Sequence, residues 1–117
     1  MEIQRFDQGA RFSQAVVAGG LIYLAGQVAD DTSRDVESQT EQVLAKIDRL
    51  LERAGTDRTR LLTVTIYLAD VADFARMNAA WDRWVPADAK PARATVESKL
   101  ATPAYRVEIQ AIAALSA

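Results

Sequence analysis

The sequence predicts an α+β fold, a β-sheet with two helices on one face. Three observations carry this. Residues 35–54 repeat apolar side chains at helical spacing. Residues 63–69, 92–99 and 106–114 alternate with period two, as strands do. A Gly-Gly pair near the start separates two short apolar runs, the mark of a hairpin. With 117 residues the chain reads as one domain, 1–117, large enough to bury a core.

The elements follow in order. Residues 2–6 form a short first strand. Ser13 to Val17 and Leu21 to Gln27 flank Gly19-Gly20 and pair as a hairpin. Asp30 to Arg34 is a polar loop. The first helix carries Val36, Val43, Leu44, Ile47, Leu50, Leu51 and Ala54 on one stripe, with Asp35 or Ser33 as its cap and Gly55 as its stop. In Thr63 to Ala69, Val64, Ile66 and Leu68 alternate with Thr63, Thr65 and Tyr67. A second helix, roughly residues 71–85, begins at Asp70 or Asp73, shows a stripe of Phe74, Met77, Trp81 and Val85, and ends at Pro86. Two strands finish the order β-β-β-α-β-α-β-β.

Two helices cover one face of such a sheet. Val64, Ile66, Val96, Val107 and Ile109 are expected to face them. Thr65, Tyr67, Arg93, Thr95, Glu97, Glu108 and Gln110 are expected on the other, polar face. Alternation also puts Arg106 and Glu108 on one face, where they can pair. Asn78 falls between Phe74 and Trp81, so its amide needs a buried partner. Trp81 and Trp84 read as packing residues, and Asp30-Asp31 as a solvated loop rather than a metal site.

Composition narrows the chemistry. The chain has no cysteine and no histidine. That removes disulfides, thiol nucleophiles, thiolate or imidazole metal ligands and the Ser-His-Asp triad. Carboxylates, guanidinium groups, hydroxyls, backbone and water remain. The net charge of −2 argues against a nucleic-acid partner. No stretch is long and apolar enough for a signal peptide or a membrane span, so the expected location is the cytoplasm. Eleven of the 14 cations are arginines, suited to planar recognition of carboxylates.

The segment from Pro91 to Ile109 resembles the signature of the RidA (YjgF) family. It has Pro91 before Arg93, an apolar Val96 and the triplet Val107-Glu108-Ile109. Phe12-Ser13-Gln14-Ala15-Val16, Ala25-Gly26-Gln27 and Asp73-Phe74 through Asn78 agree with the family in the same order. The likeness runs from about residue 11 to 113.

The resemblance implies a chorismate-mutase-like fold, two helices on one face of a mixed sheet, assembled as a barrel-like homotrimer with polar sheet faces inward and ligand clefts between subunits. It implies hydrolysis of reactive 2-imino and 2-enamino acids to 2-keto acids and ammonia, with no metal or organic cofactor. In that reading Arg93 holds the substrate carboxylate by paired charge-assisted hydrogen bonds, and Glu108 orients a water or passes a proton. Gly26 lets backbone approach the ligand. Thr95 stands where cysteine is frequent in the family, and its carbonyl can accept from the imine nitrogen. Phe12 stands where a tyrosine often lines the cleft, and Ala25 where serine is common. These departures leave a second reading, a non-enzymatic trimer that binds small carboxylates or partner proteins. A ribonuclease, once associated with part of the family, fits poorly with a chain that lacks histidine and has an acidic balance.

Overall fold

The computed structural model describes residues 1–116. Six strands form one sheet: β1 (Ile3–Phe6), β2 (Ala15–Ala18), β3 (Leu21–Leu24), β4 (Leu61–Leu68), β5 (Ala92–Glu97) and β6 (Val107–Ala114). Their order is β1-β2-β3-β6-β4-β5. All neighbours are antiparallel except β4 and β5, which are parallel and joined through the second helix. The sheet is therefore mixed, as the family resemblance implies. The expected hairpin turns at Gly19 and Gly20, both at positive φ, a region glycine enters without a Cβ clash.

Helix α1 (Val36–Arg53) starts where its pattern does. The Asp35 side chain accepts from the Ser38 backbone N–H at 2.9 Å and satisfies one of the open donors of the first turn. Helix α2 is shorter than the sequence suggests, Phe74–Trp84. Residues Val71–Asp73 form a 3₁₀ turn instead, capped by Asp70 through the Ala72 N–H. The Glu97 carboxylate accepts from the Val71 N–H at 2.9 Å and ties this turn to the end of β5.

The core lies between the helices and one sheet face. Val64, Ile66 and Leu68 of β4 and Val107, Ile109 and Ala111 of β6 are buried there with Leu44, Ile47 and Leu51 of α1 and Met77 and Trp81 of α2. Four of the five apolar alternates expected to face the helices do so.

Strand β5 differs. Its parallel register aligns Val64 with Arg93, Ile66 with Thr95 and Leu68 with Glu97. Paired residues share a face, so Arg93, Thr95 and Glu97 lie on the helix side, not on the polar face. Val96 is aligned with Tyr67 on the open face and is 43% exposed. The reason is physical. β5 is an edge strand, and the 11-residue α2 covers it incompletely. Long polar side chains thus fit on the helix side, and small apolar residues suffice on the other. Alternation separates two sets but not which set points inward.

Thr65, Tyr67, Glu108 and Gln110 do share the open face, with Tyr23 and Ile112 beside them. No helix among the described residues is long and apolar enough to cross a membrane.

Candidate active site

Two groups of residues stand out, one on each side of the sheet. The first surrounds Arg93. Its Nη1 donates to Asn78 Oδ1 at 2.8 Å. The guanidinium carbon lies 5.1 Å from the Trp81 ring centroid and 5.8 Å from that of Phe74. Each such cation–π contact contributes about 0.5–2 kcal/mol, more as water is excluded. Among the described residues no carboxylate forms an ion pair with Arg93. The group is therefore fixed by a neutral amide and two rings, keeps its full charge, and retains donors for a ligand.

Thr95 follows on the same face. Its Oγ1 is buried and has no hydrogen-bond partner among the described residues. Leaving such a hydroxyl unpaired costs about 1–3 kcal/mol, which an acceptor or donor supplied by a ligand would recover.

The second group surrounds Glu108, mid-strand on the open face. A Cβ built on Gly26 would lie 2.8 Å from Glu108 Cδ and 3.1 Å from Cγ, with Oε2 nearer still. Gly26 has no positive φ. It is glycine because the carboxylate occupies the space a side chain would take, not because a turn needs it. Among the described residues the Gly26 N–H and C=O make no hydrogen bond, and Glu108 forms no ion pair, Arg106 included.

Phe12 belongs to neither group. It sits in the loop between β1 and β2 and is 58% exposed. The structure thus brings Arg93 together with Thr95, and Gly26 together with Glu108. Within one chain it does not bring Arg93 to Glu108, because their strands present them to opposite faces.

Sequence reasoning gives Asn78 a buried partner without naming it; the partner is Arg93. It does not find that Phe74 and Trp81 flank the guanidinium. Trp81 is also packed in the core, while Phe74 is 42% exposed. Trp84 packs against Trp81 and donates through Nε1 to Asp48, whose carboxylate pairs with Arg58. In the acidic loop, Asp30 pairs with Lys46 and Asp31 caps Ser33.

The fold is shared with known proteins. The family model described as endoribonuclease L-PSP matches residues 2–115. A RutC family protein of Haemophilus ducreyi is 46% identical over 114 residues, covering 97% of both chains. The RutC family protein YoaB of Escherichia coli is 44% identical over 115 residues, 98% of this chain and all of the relative. A crystal structure of a YjgF family member from Neisseria meningitidis superposes with TM-score 0.97 at 45% identity, covering 100% of this chain and 98% of that one. The chain belongs to the RidA (YjgF) family, the one its motifs resemble.

Proposed function

We propose that this protein is a cofactor-independent hydrolase of the cytoplasm. It converts 2-imino and 2-enamino acids to 2-keto acids and ammonia, removing reactive intermediates before they damage other molecules. The observation that carries the reading is Arg93. A guanidinium fixed by a neutral amide, stacked on two rings and paired with no carboxylate among the described residues is a receptor for a carboxylate ligand.

The reaction asks little of the protein. Water adds to C2 of the iminium, the C–O bond forms, and the resulting carbinolamine loses ammonia as the C=O bond closes. One water is consumed and one ammonia leaves. Imines hydrolyse unaided in water, so holding the carboxylate and one water in register supplies the needed rate. Glu108 accepts the proton of the adding water and returns it to the departing nitrogen. The Thr95 carbonyl and its unpaired hydroxyl face the imine nitrogen, and the free Gly26 backbone approaches the ligand from the Glu108 side.

Arg93 and Glu108 of one chain face opposite ways, so a small ligand meets both only between two chains. This supports a homotrimer in which Arg93, Asn78 and Thr95 come from one subunit and Gly26 and Glu108 from its neighbour. Phe12, exposed on its loop, then forms an apolar cleft wall.

The test is subunit mixing. Arg93→Ala and Glu108→Gln are each expected to lose most imine hydrolysis, followed as keto-acid release from iminobutanoate or iminopropanoate generated in situ. When the two variants are unfolded and refolded together, random assembly builds roughly a quarter of the sites from intact halves, and activity returns in that proportion. Failure of mixed assemblies to regain activity would rule out a shared site. Carboxylate binding by calorimetry with no acceleration by the wild type would favour the non-enzymatic binder, a reading that the missing phenol at Phe12 keeps open.

A further inference from the structure

Two motif glutamines have no role in the chemistry above, yet they meet. Gln27 is 5% exposed. Its Nε2 donates to Gln14 Oε1 and to the Ala25 carbonyl, both at 3.0 Å. The Gln14 carbonyl in turn accepts from the Ala25 N–H at 2.9 Å. On the other side, the Gln27 N–H donates to the Ile109 carbonyl at 2.8 Å, and the Ile109 N–H donates back to the Gln27 carbonyl at 3.1 Å.

These five bonds grip Gly26 through both its neighbours, while its own N–H and C=O have no partner among the described residues. The last two also join Gln27 to the residue after Glu108. The other end of the network is anchored as well. The Gln14 N–H donates to the Phe6 carbonyl at 2.9 Å, and Gln14 lies two residues after Phe12.

We infer that the Gln14–Gln27 amide pair is a positioning device that fixes the Gly26 backbone against the Glu108 carboxylate and ties the Phe12 loop to the same point. Neither glutamine touches substrate. Gln27 is buried and Gln14 half-buried, and the Gln27 amide bonds both Gln14 and the Ala25 carbonyl beside Gly26, so their polarity serves the placement of Gly26. The kinetic consequence rests on the deaminase reading; the structural one does not.

Three variants test this: Gln27→Met, Gln14→Met and Gln14→Glu. Methionine keeps volume and removes the amide, whereas glutamate keeps the acceptor for Gln27 Nε2. Hydrogen exchange of the backbone amides of Ala25, Gln27 and Ile109 is measured alongside steady-state imine hydrolysis. Both methionine variants should exchange faster at these amides at unchanged far-UV dichroism. They should lose about 10- to 100-fold in kcat, as expected for a misplacement approaching 1 Å, while KM, set by Arg93, stays within about threefold. Gln14→Glu should recover most of the kcat.

Unchanged exchange in both methionine variants would overturn the inference. So would faster exchange with wild-type kcat in an active enzyme, or a rise in KM equal to the fall in kcat. If the wild type itself shows no hydrolysis but the variants exchange faster, the clamp stands and the deaminase reading falls.

Discussion

Replacing Gly26 with alanine is the sharpest test of the Glu108 side of the site. The new methyl would lie 2.8 Å from Glu108 Cδ and 3.1 Å from Cγ, distances no ordinary contact allows. The segment around Gly26 is held on both sides by hydrogen bonds, so the carboxylate is the part that moves. Because the clash falls on the end of a flexible, half-buried side chain, its cost in stability is small, about 1 kcal/mol or less, which lowers Tm by no more than roughly 4 °C. In the proposed reaction the displaced carboxylate would no longer align water, and kcat should fall by about 10²-fold. Thermal denaturation and the coupled imine assay measure the two effects. Glu108→Ala in the Gly26→Ala background makes room for the methyl, so stability returns and activity does not, a non-additive cycle. Gly9→Ala serves as control, since its nearest neighbour would be the Phe12 carbonyl at 3.8 Å, an ordinary distance. A Gly26→Ala protein with wild-type Tm and wild-type kcat would refute the placement of Glu108.

The other predictions concern the Arg93 side and the fold. Asn78→Asp replaces the neutral acceptor with a carboxylate 2.8 Å from Arg93 Nη1, cancels the charge available to substrate, and should raise KM at least about tenfold while leaving Tm near wild type. Arg93→Lys keeps the charge but loses the planar fork, so its KM should fall between those of wild type and Arg93→Ala. Glu108→Gln should lower kcat while keto-acid affinity, measured by calorimetry, stays close to wild type. The carboxyl of Asp35 is held below its ordinary 3.8, first by the Ser38 backbone N–H. Its contribution to stability is present above pH 3.8 and is lost as the pH falls through the lowered value. Asp35→Asn keeps a cap acceptor and removes the titration, so its Tm should fall less than that of wild type between pH 5 and pH 2.

What was legible in the sequence was local. Asp35 as a cap, the α1 stripe, the Gly19-Gly20 turn and the β4 alternation each depend on neighbours within a few residues, and each appears as read. The start of α2 was less legible, because Asp70 and Asp73 are both good caps and the chain uses Asp70 for a 3₁₀ turn first. The candidate site was legible only as residue types in family-like motifs, Arg93, Thr95, Gly26 and Glu108.

Their grouping was not. Period two divides the residues of β5 into two sets, but which set faces the helices depends on its parallel pairing with β4 and on how far α2 reaches across the edge. That choice carries Arg93 to the helix side, beside Asn78 and Trp81, and parts it from Glu108. The partner of Asn78, 15 residues away, and the contact of Gly26 with Glu108, across most of the chain, likewise arise only when distant strands come into register. The sequence by itself determined most of the elements and the family, because those rest on short-range periodicity and motif. Tertiary structure alone decided which groups share a face, because strand pairing and helix coverage are long-range and leave no period in the chain.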